Sequence, residues 1–149
     1  MIDNEVQEIK LKKRSLKRYR NNLACIDRLE KKIILLDERL TSLRSTNFSG
    51  MPRGGTPVTI DDLLSDKVDL ENRVKRLKEK NKPIKAKILE EIDSLEDFRY
   101  CEVLEAYFIE CKSIADIAEE MCYTDRYVYD LYKEAVRELA INNTSVTLQ

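Results

Sequence analysis

Apolar residues recur along the first third of the chain in alternating steps of three and four. Leu16, Tyr19, Leu23 and Ile26 form one series, and Leu29, Ile33, Leu36, Leu40 and Leu43 another, with one extra step of three between them. This is a heptad seam with a single stammer, which overwinds a coiled coil locally. Residues 3–45 contain neither Gly nor Pro, and the pattern predicts one long helix. Its remaining faces are so polar that it needs a partner along the seam.

Residues 46–59, TNFSGMPRGGTPVT, hold all three glycines and two of the three prolines. That composition predicts a loop or linker. Thr59 followed by Asp62 then marks a helix start, a capping box with Asp in place of Glu. From Ile60 the seam resumes through Leu63, Leu70, Val74, Leu77, Asn81, Ile84, Ile88, Ile92 and Leu95. Asn81 on the seam reads either as a buried residue that fixes register or, with Pro83, as a helix boundary or kink; the proline favours the second reading. Two seams joined by a Gly/Pro loop favour an antiparallel hairpin, with parallel homodimerisation of each helix as the competing arrangement.

Beyond Ser94 the residues Leu95, Phe98, Val103, Leu104, Tyr107, Phe108 and Ile109 predict a short, buried, aromatic-rich helix. Two further apolar series follow. Ile114, Ile117, Ala118 and Met121 precede the break Cys122-Tyr123-Thr124, and Val128, Leu131, Tyr132, Ala135 and Leu139 succeed it. Helices joined so tightly cross steeply, as in a helix-turn-helix. Ala118 lets them approach, while Ile117, Val128 and Leu131 close the core between them. Thr124 is placed to cap the second helix, with Asp125 favourable in its first turn. Cys122 stands where such turns use glycine, and a left-handed backbone there costs a cysteine about 1 kcal/mol.

The expected architecture is all-α. A helical hairpin spans residues 1–94, a helix-turn-helix module 95–141 and a frayed tail 142–149.

Charge divides the chain unevenly beneath a net charge of −1. Residues 1–87 hold 22 Lys/Arg against 13 Asp/Glu, and residues 88–149 hold 5 against 15. The run KLKKRSLKRYR (Lys10–Arg20) lies all round its helix. It reads either as a solvated face or as a phosphate-contacting arm. On the second helix of the break, projection at about 100° per residue collects Arg126, Asp130, Lys133 and Arg137 opposite the core. Arg126 is best placed for a guanine edge, and Lys133 and Arg137 for phosphates. Tyr127 and Tyr129 flank the stripe, within reach of a thymine methyl or phosphate oxygens. Asp125 and Asp130 are potential acceptors from cytosine, although a helix-dipole role for Asp125 and an i,i+4 pair with Arg126 for Asp130 are the plainer readings.

The four cysteines are scattered and there is no histidine, so no zinc site is expected and no cofactor is implied. No apolar run approaches a membrane span and no signal peptide is evident. The expectation is a cytoplasmic protein, with Asn47 and Asn142 as chance glycosylation triplets. No glycine-rich phosphate loop or catalytic constellation stands out, so an enzyme is not expected.

The segment FRYCEVLEAYFIECKSIADIAEEMCYTDRYVYDLYKEAVREL resembles region 4 of sigma-70-type factors. The correspondence rests on the tyrosine-containing YFIE stretch, the turn CKS, Ile117-Ala118-Glu119-Glu120, Thr124 to Val128, and Ala135 to Leu139. The wider layout is similar to phage late-gene activators of the RinA and ArpU type. This resemblance implies double-stranded DNA as partner, activation of phage genes in a bacterial host cytoplasm, and contact with host RNA polymerase. A homodimer through the coil is compatible with it. Two other readings fit the same pattern: a small terminase subunit that recognises packaging DNA, and a protein–protein adaptor that touches no DNA.

Overall fold

The computed structural model describes residues 2–46 and 59–147, with side chains from 3 to 44 and from 59 to 142. These residues form five α-helices and no strand: α1 (Ile2–Thr46), α2 (Ile60–Asp93), α3 (Phe98–Leu104), α4 (Ile114–Met121) and α5 (Asp125–Thr147). The protein is all-α. The expected loop lies, but for its two ends, outside the described residues, as does Asn47.

Two compact units account for the chain: residues 22–80, and residues 1–21 with 81–149. The division falls away from position 94. The outer ends of α1 and α2 belong with the C-terminal helices.

In the unit of residues 22–80 the seam residues turn inward. Ile26 and Leu29, the two sides of the stammer, pack with Val74, and Leu23, Cys25, Ile33, Leu70 and Leu77 surround them. Each such side chain, fully buried, contributes about 1.5–3 kcal/mol. Asp37 pairs with Lys67 at 2.6 Å and Glu30 with Lys78 at 2.8 Å. One number falls as the other rises, so these stretches run in opposite directions. The capping box forms as expected: Asp62 N–H donates to Thr59 Oγ1 at 3.2 Å, and Thr59 N–H to Asp62 Oδ2 at 3.4 Å.

In the second unit α2 continues unbroken past Asn81 and Pro83, so the expected helix boundary is absent. Asn81 is 3% exposed and its Nδ2 donates to the Tyr19 carbonyl at 3.2 Å. The buried seam role is the one it takes. Pro83 lacks the N–H that would bond the Glu79 carbonyl. Both residues are exposed, so water can satisfy that carbonyl.

The basic run at Lys10–Arg20 is not simply solvated. Lys12 is 8% exposed and pairs with Glu91 at 2.7 Å. The Arg20 guanidinium lies 4.3 Å from the centre of the Tyr107 ring and donates to the Tyr107 carbonyl at 3.4 Å. Lys13 sits over the ring of Tyr132 at 5.7 Å. These cations dock α1 through its inward side, while Lys10, Arg14 and Arg18 remain exposed.

Asp97 caps α3 by accepting from Arg99 N–H at 2.9 Å. The cap places Phe98 at the first helical position and 72% exposed, contrary to the expectation of burial. Val103, Leu104 and Phe108 are buried as expected. The chain after α3 widens into a π-helical turn, Glu105–Ile109, in which Glu110 N–H reaches the Glu105 carbonyl at 3.0 Å. The extra width sets Tyr107 and Phe108 edge to face, with centroids 4.9 Å apart, and both beside Tyr132. α3 packs on α5, and the π turn on α4.

At the other end, α5 runs to Thr147. The backbone expected to fray from residue 142 is therefore helical to that point. Leu139 and Ala140 are buried, and a helix anchored there propagates at little cost per residue. Residues 148–149 lie outside the described residues.

Candidate nucleic-acid interface

The pair α4–α5 begins at Ser113, whose Oγ accepts from Asp116 N–H at 3.1 Å. Ile117 and Ala118 face inward and are buried. At its end α4 closes with a left-handed residue, Cys122, at φ 60° and ψ 40°. Tyr123 N–H returns to the Ala118 carbonyl at 2.9 Å, and Cys122 N–H to that of Glu119 at 3.3 Å. These two bonds make a Schellman motif, with cysteine in glycine's place. Thr124 Oγ1 then accepts from Tyr127 N–H at 3.2 Å and caps α5. Val128, Leu131, Tyr132, Ala135, Val136 and Leu139 form the buried side of α5. α4 packs on this helix.

The outward face of α5 keeps all eight expected site residues exposed: Thr124, Asp125, Arg126, Tyr127, Tyr129, Asp130, Lys133 and Arg137. They do not act as one set. Asp125, Arg126, Tyr129, Asp130 and Lys133 line one open groove of about 480 Å³, together with Ile114. Lys133 sits over the Tyr129 ring at 4.7 Å and pairs with Asp130 at 3.6 Å. The partner expected for Asp130, Arg126, makes no ion pair among the described residues.

Three residues fall outside that groove. Thr124 is committed to the cap. Tyr127 turns to α3, where its hydroxyl accepts from Arg99 at 2.6 Å, and its ring meets Tyr123 edge-on at 4.8 Å. Arg137 reaches Glu5 of α1 at 2.7 Å, and that hydrogen bond raises its already high pKa further. No protein family, characterised protein or solved structure matches the chain. The groove is therefore read from its own geometry.

Two contributors were not expected from the sequence. Ile114 belongs to an apolar series but sits at the first position of α4, half-buried at the groove. Arg99 holds Tyr127 from 28 positions away and stands two residues after a helix cap. Only the Asp97-x-Arg99 spacing hints at it. Asp97 hydrogen-bonds Arg99, which holds its carboxyl below the usual carboxylate range.

A second concavity, about 490 Å³, opens between the π turn and α4. Glu102, Glu105, Glu110 and Glu120 rim it, and Lys112 bridges Glu110 and Glu120 at 2.8 Å each. Those two carboxylates hold the lysine's pKa well above its ordinary value. Phosphate groups are repelled on this side.

The acidity of the C-terminal half is largely offset once the whole unit is counted. Residues 1–21 and 81–149 together hold 15 Lys/Arg against 18 Asp/Glu, a balance of −3. The α5 groove offers a guanidinium without an ion pair, an ammonium over an aromatic ring, a phenol and two carboxylates. That set combines hydrogen-bond donors with acceptors. Among the described residues no group of three His, Cys, Asp or Glu is placed to hold a metal ion, and no helix is long and apolar enough to cross a membrane.

Proposed function

We propose that this chain is a sequence-specific, double-stranded-DNA-binding transcriptional regulator of the phage type, built as an antiparallel helical hairpin followed by a helix-turn-helix. The observation that carries the reading is the turn between α4 and α5. Its Schellman closure ends α4 and the Thr124 cap starts α5 three residues later, with Arg126 exposed one position into the helix. A recognition helix uses its N-terminal residues on base edges in the major groove. In this reading Arg126 meets a guanine, Tyr129 packs on a thymine methyl or reaches a phosphate oxygen, and Lys133 contacts phosphate. The exposed cations Lys10, Arg14 and Arg18 supply sequence-independent attraction. Activation of phage genes and contact with host RNA polymerase extend the proposal on the strength of the sigma-region-4 resemblance.

Selection of bound fragments from the source DNA, followed by titration at several salt concentrations, tests this. Arg126→Ala is expected to weaken the best site by about 1–3 kcal/mol and to relax preference at one base pair. Unchanged preference would move the reading face off α5. A protein adaptor is the second reading, favoured by the acid-rimmed concavity beside α4. No DNA binding even at low salt, with retention of a basic peptide, is the outcome that selects it.

A further inference from the structure

We propose that the groove between α1 and α2 in the unit of residues 22–80 is a self-association surface, on which a second copy of the chain lies face to face across a two-fold axis. The groove is open, about 430 Å³, with Leu36 and Leu70 lining it. Lys32, Leu35 and Arg39 come from α1, and Asp66 and Asp69 from α2. One wall is therefore cationic and the other anionic. Leu35 is 59% exposed, a large apolar side chain between two charges of like sign.

Elsewhere in this unit opposite charges find one another: Asp37 with Lys67, Glu30 with Lys78, Asp27 with Lys31. Lys32, Arg39, Asp66 and Asp69 take no ion pair among the described residues. An acidic partner would meet the α1 wall and be repelled by the α2 wall; a basic one would do the reverse. A second copy satisfies both, because a two-fold axis sets α1 of each copy against α2 of the other. Leu35 then meets apolar surface near the axis. Two helix pairs laid together along about 30 Å cover on the order of 600 Å² on each copy, near the lower end of what specific interfaces bury.

The test is the mass of the full chain by sedimentation equilibrium, without DNA, so that its failure leaves the DNA-binding proposal untouched. The expected result is a dimer that loosens with salt. Lys32→Asp with Arg39→Asp makes both walls anionic, and Asp66→Lys with Asp69→Lys makes both cationic. Each double variant is expected to weaken self-association at least about tenfold, and an equimolar mixture of the two to recover a dimer. Leu35→Glu, a single exposed change checked for folding by circular dichroism, dissociates the dimer by another route. Ile34, 57% exposed and about 100° round α1, is the control, and Ile34→Glu leaves the dimer intact. A monomeric wild type, a trimer or larger ring, a dimer indifferent to the wall variants, folded variants that do not recombine, or dissociation by Ile34→Glu alone would each overturn the proposal.

Discussion

Cys111 and Cys122 are the two non-glycine residues with a left-handed backbone among those described, and they flank α4 on either side. A Cβ in that region crowds the following carbonyl, at a cost of about 1 kcal/mol that glycine avoids. Cys122→Gly is accordingly expected to raise stability by about 1 kcal/mol, read as a shift in urea midpoint. The thiol is exposed, so little packing is lost. The left-handed geometry at position 122 was legible in the sequence, because Cys122 stands in the short break where such turns use glycine. The second such position, Cys111, was not, since it depends on the π turn before it. Tyr132 gives a pH-dependent prediction. Burial pushes its phenol up to about 12 from an ordinary value of 10.0. A folded-state pKa raised above the unfolded one contributes stability that is full below about pH 10 and lost as pH rises toward 12. Denaturation compared at about pH 9 and about pH 11 is expected to show a smaller alkaline loss in Tyr132→Phe than in the wild type.

Among the helices, the two seams were legible almost residue by residue, because a heptad repeat leaves the apolar positions little freedom over where they face. Leu16, Tyr19, Ile26, Leu29, Leu40, Leu63, Val74, Ile88, Ile92 and Leu95 are all buried. The passage of α2 through Asn81 and Pro83 was not legible. Local propensity argues for a stop, and tertiary contacts on both sides, Val74 before and Ile88 after, hold the helix together. Pro83 therefore sits against its own preference. Pro83→Ala restores one backbone hydrogen bond, removes a ring clash and disturbs no buried contact; allowing for the greater freedom it gives the unfolded chain, it is expected to raise stability by about 2 kcal/mol. A midpoint that does not move would mean the helix had already relaxed around the ring. The π turn was equally invisible, since nothing in EAYFI distinguishes one extra residue per turn from an ordinary helix.

Across the whole molecule, exposure of the α5 stripe was legible from the helical period, whereas the partners of its charges were not. Glu5 and Arg137 lie 132 positions apart, and no local pattern links them. The pair is exposed on both sides, so it contributes little to folding. Under the proposed function it competes with phosphate for the guanidinium. Glu5→Ala is expected to leave the unfolding midpoint in place while tightening DNA binding a few-fold at low salt, and Arg137→Ala to weaken binding evenly across sequences. Filter binding at two ionic strengths distinguishes them, and binding left unweakened by Arg137→Ala would show that Arg137 never leaves Glu5. The same long reach governs how the module is completed during synthesis. Residues 22–80 can pair as soon as α2 leaves the ribosome, but the unit that carries α5 is closed by residues from both ends of the chain. Lys12 and Arg20 emerge early and wait for Glu91 and Tyr107, so contacts of high sequence separation form last. A nascent chain stopped before α5 is made displays its basic segment without the α5 groove. Under the DNA-binding function proposed above, the earliest contact with nucleic acid is thus indiscriminate, and selectivity arrives with α5.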